Sequence, residues 1–305
     1  SGASMGSSIL ITKQLGATMA VPDPARTADA LAGAFEWSIR YTGDLAERWS
    51  SLEIQQPDSI IMGPPEATRG LVRLVRAAAG EERGRLPRAW SSVEPVVRDL
   101  DRLVAELDRH PDFELTSPGI ELDMRDHGSN IHEAAVARLH DCLFVLTMAV
   151  TQPAERDFPE SPSRVGHIFA SHLRSTEADE ARRLYAGVFG MRPLMVVEGH
   201  DTFIHQFWGV DSRYPVRVDV LQGVTEGLGL GAVEVQSWPR GYLGRYVTEP
   251  LPPGIAAVTY QAPDLAAARS AVAGAGVAIV GEDPDGFIVR GAEGELLEVT
   301  SADWV

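Results

Sequence analysis

Eight histidines and one cysteine carry most of the reactive chemistry open to this chain of 305 residues. An imidazole titrates near neutral pH, so it can serve as base, acid or metal ligand. Two of the histidines, His167 and His172, stand close together in the run VGHIFASHLRSTEADEARRLYAGVFG, Val165 to Gly190. Val165 to Leu173 reads as a strand, and Arg174 to Asp179 as a polar connection in which Ser175 or Thr176 can cap. Glu180 to Phe189 reads as a helix stopped by Gly190. Alternation puts His167, Phe169, Ser171 and Leu173 on one face of the strand and Ile168, Ala170 and His172 on the other. Only one of the two imidazoles then faces a pocket, unless a bulge intervenes. Thr202 to Trp208 reads as a further strand, with His205 between Ile204 and Gln206. His127, His132 and His140 show no ligand spacing and read as surface or loop residues. Cys142, inside the apolar run LHDCLFVLTMAV, reads as a small buried residue, and Tyr185, in an apolar helical stripe, as core. Trp238 to Pro253 mixes Trp, Tyr and Arg with Gly and Pro. It reads as an irregular cover whose Trp238, Tyr242 and Tyr246, with Trp208, can line a pocket.

The elements that must position these side chains form four similar units. In the first, Ile9 to Val21 is strand-like, Ala25 to Trp49 is helix-compatible, and Ser59 to Met62 and Gly70 to Arg76 are β-rich. The second has a strand at Ala89 to Val97, a helix at Asp99 to Leu107, and strands at Phe113 to Leu115 and within Ile131 to Val150. QPAERDFPESPS, residues 152–163, is proline-rich and charged and reads as a linker between an amino-terminal half, residues 9–151, and a carboxy-terminal half, residues 164–305. The third unit starts at Arg164 and continues through Met195 to Val197, Thr202 to Trp208 and Val216 to Val220. After glycine-rich and aromatic passages the fourth follows, with Ile255 to Tyr260, a helix at Asp264 to Ala273, and strands at Val277 to Val280, Gly286 to Val289 and Glu295 to Thr300. DLDRLVAEL against DLAAARSAV and CLFVLT against ELLEVT make the repeat visible.

Composition narrows the function classes. With 44% hydrophobic residues and a formal charge of −16, the chain reads as globular and lacks the cationic clusters that phosphate backbones and anionic membranes attract. No nucleic-acid or membrane partner is expected, and no apolar run reaches membrane-spanning length. A lone cysteine allows no intrachain disulfide, which suits a reducing cytoplasm. Residues 1–8, SGASMGSS, read as an added tag.

The order of Gly166-His167 in an apolar strand, a polar turn, then Ala181-Arg-Arg-Leu-Tyr and Val188-Phe-Gly resembles the opening of a vicinal oxygen chelate module. That βαβββ unit is shared by glyoxalase I, bleomycin-resistance proteins and extradiol dioxygenases. The ending GAEGELLEVT, Gly291 to Thr300, resembles the last strand of such a module. The resemblance implies an α+β fold of four βαβββ modules paired into two cupped mixed sheets, with each half of the chain forming one cup. It implies that a divalent metal (Zn, Mn or Fe) can be held by first-strand and last-strand side chains. Position by position this gives His167, Asp219 and Glu298 as ligands, with Ala257 at a fourth, incompetent place. His plus two carboxylates suits borderline to hard ions. His205, and after it His172, is the implied base, with Phe169 added to the pocket lining. Gly16, Ser92 and Val145 stand at the corresponding places of the amino-terminal half, which therefore looks metal-free. The implied activity is a metal-assisted lyase or isomerase on a small oxygen-rich substrate, in the carboxy-terminal half, with no nucleotide cofactor and with a homodimer as a further expectation. Two alternatives stand beside it: a metal-free small-molecule-binding protein of the bleomycin-resistance kind, and an extradiol-type dioxygenase. The latter is disfavoured by Ala257, where its second first-strand histidine would stand.

Overall fold

The computed structural model describes residues 8–78, 83, 86–127, 131–151, 162–200, 202–223, 230–246 and 248–305. Module one contains β1 (Lys13–Val21), α1 (Pro24–Phe35), β2 (Ser38–Asp44), β3 (Asp58–Gly63) and β4 (Leu71–Arg76). Module two contains β5 (Ala89–Val97), α2 (Leu100–Leu107), β6 (Phe113–Asp123), β7 (Ile131–Leu139) and β8 (Cys142–Ala149). Module three contains β9 (Val165–Ser175), α3 (Ala178–Arg182), β10 (Arg192–Gly199), α4 (Phe203–Trp208), β11 (Val216–Gln222) and β12 (Ala232–Ser237). Module four contains β13 (Gly254–Gln261), α5 (Leu265–Gly274), β14 (Ile279–Asp283), β15 (Gly286–Arg290) and β16 (Leu296–Thr300). The repeat extends to the helix starts. Asp23, Asp99 and Asp264 each accept hydrogen bonds from first-turn N–H groups of α1, α2 and α5, which otherwise lack partners.

Within each module the first strand pairs in parallel with the last, and the middle strands continue outward in antiparallel order. The modules join through their first strands. β1 runs antiparallel to β13, with Ala17 opposite Val258, and β5 runs antiparallel to β9, with Val93 opposite Ser171. The result is two eight-stranded mixed sheets, β14-β15-β16-β13-β1-β4-β3-β2 and β10-β11-β12-β9-β5-β8-β7-β6. This is the four-module α+β architecture expected from the sequence, with a different pairing. The expectation of one cup per half gives way to module one with module four and module two with module three. Each sheet thus takes one module from either side of the expected linker, most of which lies outside the described residues.

Alternation divides each sheet into two faces. Ala17, Met19, Val72, Leu74, Val258, Tyr260, Leu297 and Val299 point toward the helices and join a core that also holds Leu31, Leu103, Tyr185 and Val272. The opposite face of the module two–three sheet is a cup lined by Val136, Val145, Phe169, Val218, Trp208 and Trp238. Cys142 and Tyr185 are buried, as expected. His132, expected at the surface, is buried on β7, and burial pushes its pKa down.

Two local expectations are corrected, and one strand is added. Ala25 to Trp49 is not one helix: α1 ends at Phe35, and β2 and a 3-10 turn over Glu47–Leu52 follow. Thr202 to Trp208 is not a strand but α4, where His205 and Thr202 form a reciprocal cap. Ala232–Ser237, between the glycine-rich and the aromatic passages and assigned no element from the sequence, is β12. Short apolar runs suit either periodicity, so packing partners decide them.

Candidate functional site

The central four strands of each sheet are the first and last strands of its two modules, and their inward side chains meet on the cup floor. In the module two–three cup these are Glu94 on β5, Thr147 on β8, His172 on β9 and Glu234 on β12. Strand register makes His172 and Glu234 direct neighbours on parallel strands, while Ser92 faces His172 across β5 and β9. A register shift in the β5–β9 pair, opposite Phe169, brings both Phe169 and Ala170 into the cup lining, so β9 does carry the bulge that strict alternation omits.

One ligand atom from each of Glu94, His172 and Glu234 lies within 4.8 Å of the others. His172 Nε2 stands 3.0 Å from Glu94 Oε2 and 3.4 Å from Glu234 Oε2. Ligand bonds of about 2.1 Å place neighbouring ligand atoms roughly 3.0–3.4 Å apart around one ion, so the donor set fits a divalent cation. The surroundings hold the donors in place. Ser92 Oγ is 2.8 Å from His172 Nδ1, and Thr147 Oγ1 donates to Glu94 Oε1 at 2.5 Å. Nε2 faces Glu94 and Glu234, where its N–H donates to a carboxylate or, once deprotonated, its lone pair can meet an ion.

The electrostatics point the same way. Burial, together with the Glu94 charge, pushes the Glu234 carboxyl up to about 7 against the pull of His172. Burial lowers the His172 pKa, but Glu234 and Glu94 outweigh it and the net shift is upward. Glu234 is thus crowded against a second carboxylate beside a single imidazole, a conflict that a divalent ion removes.

The other cup has the same four positions and a different solution. Thr18 on β1, Arg73 on β4, Thr259 on β13 and Glu298 on β16 share its floor. Glu298 Oε1 accepts from Arg48 Nε and Trp49 Nε1, and Oε2 from Arg73 Nη2 and Thr259 Oγ1, each at 2.7 Å. Burial would raise its pKa, but Arg73 and Arg48 outweigh that and hold it at about 2. Every acceptor site facing the cup is taken, and Arg73 supplies the positive charge from within the chain.

The expected ligand set His167, Asp219 and Glu298 is therefore not brought together. Glu298 belongs to the other sheet. Asp219 sits on the outer face of β11, because Val216, Val218 and Val220 take the inward positions. Its oxygens accept from Arg182 and Arg217. His167 lies on β9 beside Gly70, five residues before the ligand-competent His172. His205, the expected base, has both ring nitrogens engaged: Nδ1 accepts from the Thr202 N–H at 3.0 Å, and Nε2 lies 2.7 Å from the Tyr214 carbonyl oxygen. Its place is structural. Of the expected pocket residues, Phe169, Trp208 and Trp238 line the cup and Tyr242 packs against it. Tyr246 is 42% exposed and stacks on Arg88 instead. Glu94 and Glu234 were not singled out from the sequence. Glu234 lies on the unrecognised β12, and Glu94 follows Ser92, the place assigned to module two, by two residues. A strand assignment for Ala232–Ser237 would have exposed the parallel between Glu234 and Glu298.

A cavity of about 310 Å³ opens between β6, β10 and α4, lined by Glu121, Asp123, Met124, Val197, Phe203 and Gln206. No described helix is long and apolar enough to cross a membrane.

No protein-family model matches the sequence, and no curated protein matches it. Solved structures do resemble it. Glyoxalase I from Zea mays superposes with a TM-score of 0.61 at 15% identity, over 94% of this chain and 92% of that one. A proposed dioxygenase from Bacillus subtilis gives 0.64 at 10% identity, over 96% and 86%. At such identities the likeness concerns the backbone. With its four βαβββ modules and two cupped sheets, the chain has the fold of the vicinal oxygen chelate superfamily.

Proposed function

We propose that the module two–three cup is the active site of a metal-assisted enzyme of the lyase or isomerase type, acting on a small oxygen-rich organic molecule. The observation that carries this reading is the convergence of Glu94, His172 and Glu234 inside a cup whose counterpart has replaced the same positions by an arginine–carboxylate network. A divalent ion at these residues supplies Lewis acidity toward substrate oxygens. The side chains do the rest. Glu94 and His172 are two of the donors, and Ser92 and Thr147 hold their side chains in place. Glu234 would hold the ion as a carboxylate, beside Glu94 and His172. Val218, Phe169, Trp208 and Trp238 exclude water from the site. One histidine with two carboxylates also differs from the two-histidine, one-carboxylate set of ring-opening dioxygenases.

Elemental analysis of protein purified without chelator tests the reading, with about one Zn, Mn or Fe per chain as the expected result. Ser92→Ala leaves all three ligands in place but frees the imidazole, and is expected to weaken metal affinity roughly 10- to 100-fold. A metal-free protein whose Ser92→Ala variant is indistinguishable in ligand binding would turn the reading toward a binding protein.

A further inference from the structure

Two positions beyond His172 on the same strand face lies Arg174, fully buried at 0% exposure. Its guanidinium is sandwiched between indoles, 4.0 Å from the Trp208 ring centre and 5.1 Å from that of Trp238. Among the described residues none of its three guanidinium nitrogens has a hydrogen-bond partner. An arginine cannot shed its proton to escape such a site at neutral pH, and burying an unpaired cation costs several kcal/mol.

The other cup contains a matched comparison. Arg73 is also held between two indoles, 4.9 Å from Trp49 and 4.7 Å from Trp304. Its edge is met by Glu298 and by Thr18. The same indole–guanidinium–indole stack thus occurs twice in one chain, once with its carboxylate built in and once without.

We propose that Arg174 is the anchor for the carboxylate of an organic-acid substrate, the ligand taking the place that Glu298 takes beside Arg73. Both indoles pack over the guanidinium, which leaves its N–H edge as the part that can meet an anion. That geometry selects a flat two-oxygen group bound through two parallel N–H donors. The apolar walls formed by Phe169, Phe207 and Val218 suit an apolar body attached to that group. Residues two apart on a strand lie roughly 7 Å apart along it, so one small molecule can reach both Arg174 and the oxygen-binding end at His172. Access requires the irregular stretch Trp238 to Tyr246, which closes the cup, to move aside. The substrate class assigned here rests on the enzymatic reading of this cup, but the anion site itself does not need the metal.

Benzoate and its neutral counterpart benzamide are suitable probes, titrated into chelator-treated full-length protein with calorimetry and tryptophan fluorescence, since Trp208 and Trp238 flank the site. Benzoate is expected to bind at least roughly tenfold more tightly than benzamide. Arg174→Met is expected to lose that binding by roughly 30-fold or more, and Arg174→Lys, which keeps the charge but not the planar fork, by roughly tenfold. Arg174→Met should melt at or above the wild-type temperature, because it removes an unpaired buried cation. Equal binding of the two probes, wild-type benzoate affinity in Arg174→Met, or a lower melting temperature that Arg174→Lys restores would overturn the proposal. If Arg174→Met does not fold, full benzoate affinity in Arg174→Lys overturns it and a tenfold loss supports it. Arg174-dependent benzoate binding in a protein that takes up no metal would leave the anion site standing and remove the enzymatic reading. Stoichiometric metal without Arg174-dependent binding would do the reverse.

Discussion

Replacing Glu298 by Gln is expected to destabilise the protein by about 3–5 kcal/mol while leaving its metal content unchanged. The amide keeps the shape but removes the charge that neutralises two buried guanidinium groups. Arg48 retains the Asp283 carboxylate as a partner, but Arg73 is left without any carboxylate. For a chain of this size the loss corresponds to a melting temperature lower by roughly 10 °C. The effect should depend on pH in a defined direction. The folded Glu298 carboxyl is held at about 2, against an ordinary value of 4.5. The stability it contributes is fully present above 4.5 and is lost as pH falls from there through about 2. The gap between wild type and Glu298→Gln should therefore be widest near neutrality and close in acid. A fall in metal content with little change in melting would instead make Glu298 a ligand.

Glu234→Gln, at the equivalent position of the other cup, should behave in the opposite way. Loss of a charged ligand is expected to weaken metal affinity by roughly 100-fold or more. The metal-free variant, however, should be more stable than metal-free wild type at pH 8. Burial raises the folded carboxyl to about 7, so the folded state holds a proton that the unfolded chain has already released. Wild-type stability from this group is undiminished below 4.5 and falls as pH rises to about 7, an effect on the order of 2 kcal/mol once the lost attraction to His172 is set against it. Gln cannot ionise and escapes that loss. Melting curves of chelator-treated proteins from pH 5 to 8 read this directly. A Glu234→Gln variant that is less stable at every pH and binds metal as wild type does would make Glu234 a structural partner of His172, as Glu298 is of Arg73.

The contrast shows how one strand position yields two chemistries. A carboxylate on the last strand of a module is unsatisfied on a cup floor until a cation meets it. In one cup the chain provides the cation from β4; in the other β8 offers Thr147, whose hydroxyl orients Glu94 but brings no charge. Arg174 extends the same logic to a ligand, since a guanidinium stacked between indoles is complete only when a carboxylate closes its edge.

The number and order of the modules are legible in the chain, because each βαβββ unit carries its own periodicities and three of the four carry an aspartate cap. The sequence also determined the identity of the cup-lining Phe169, Trp208 and Trp238, and placed His172 on a strand facing away from Ser171 and Leu173. Which modules share a sheet is set by long-range strand pairing, since β1 could pair with β13 or with β5 without changing the local sequence pattern. The remaining decisions follow from that pairing. Without β12, β11 looks like the last strand of its module and Asp219 like a cup residue; with β12 in that place, alternation on β11 turns Asp219 away from the cup to Arg182 and Arg217. His205 alternates well enough for a strand, but its hydrogen bonds to Thr202 and Tyr214 are available only in a helix turn. Glu94 and Glu234 meet His172 because β5 and β12 flank β9, an adjacency made by inter-strand hydrogen bonds between residues far apart in the chain, which no local spacing records.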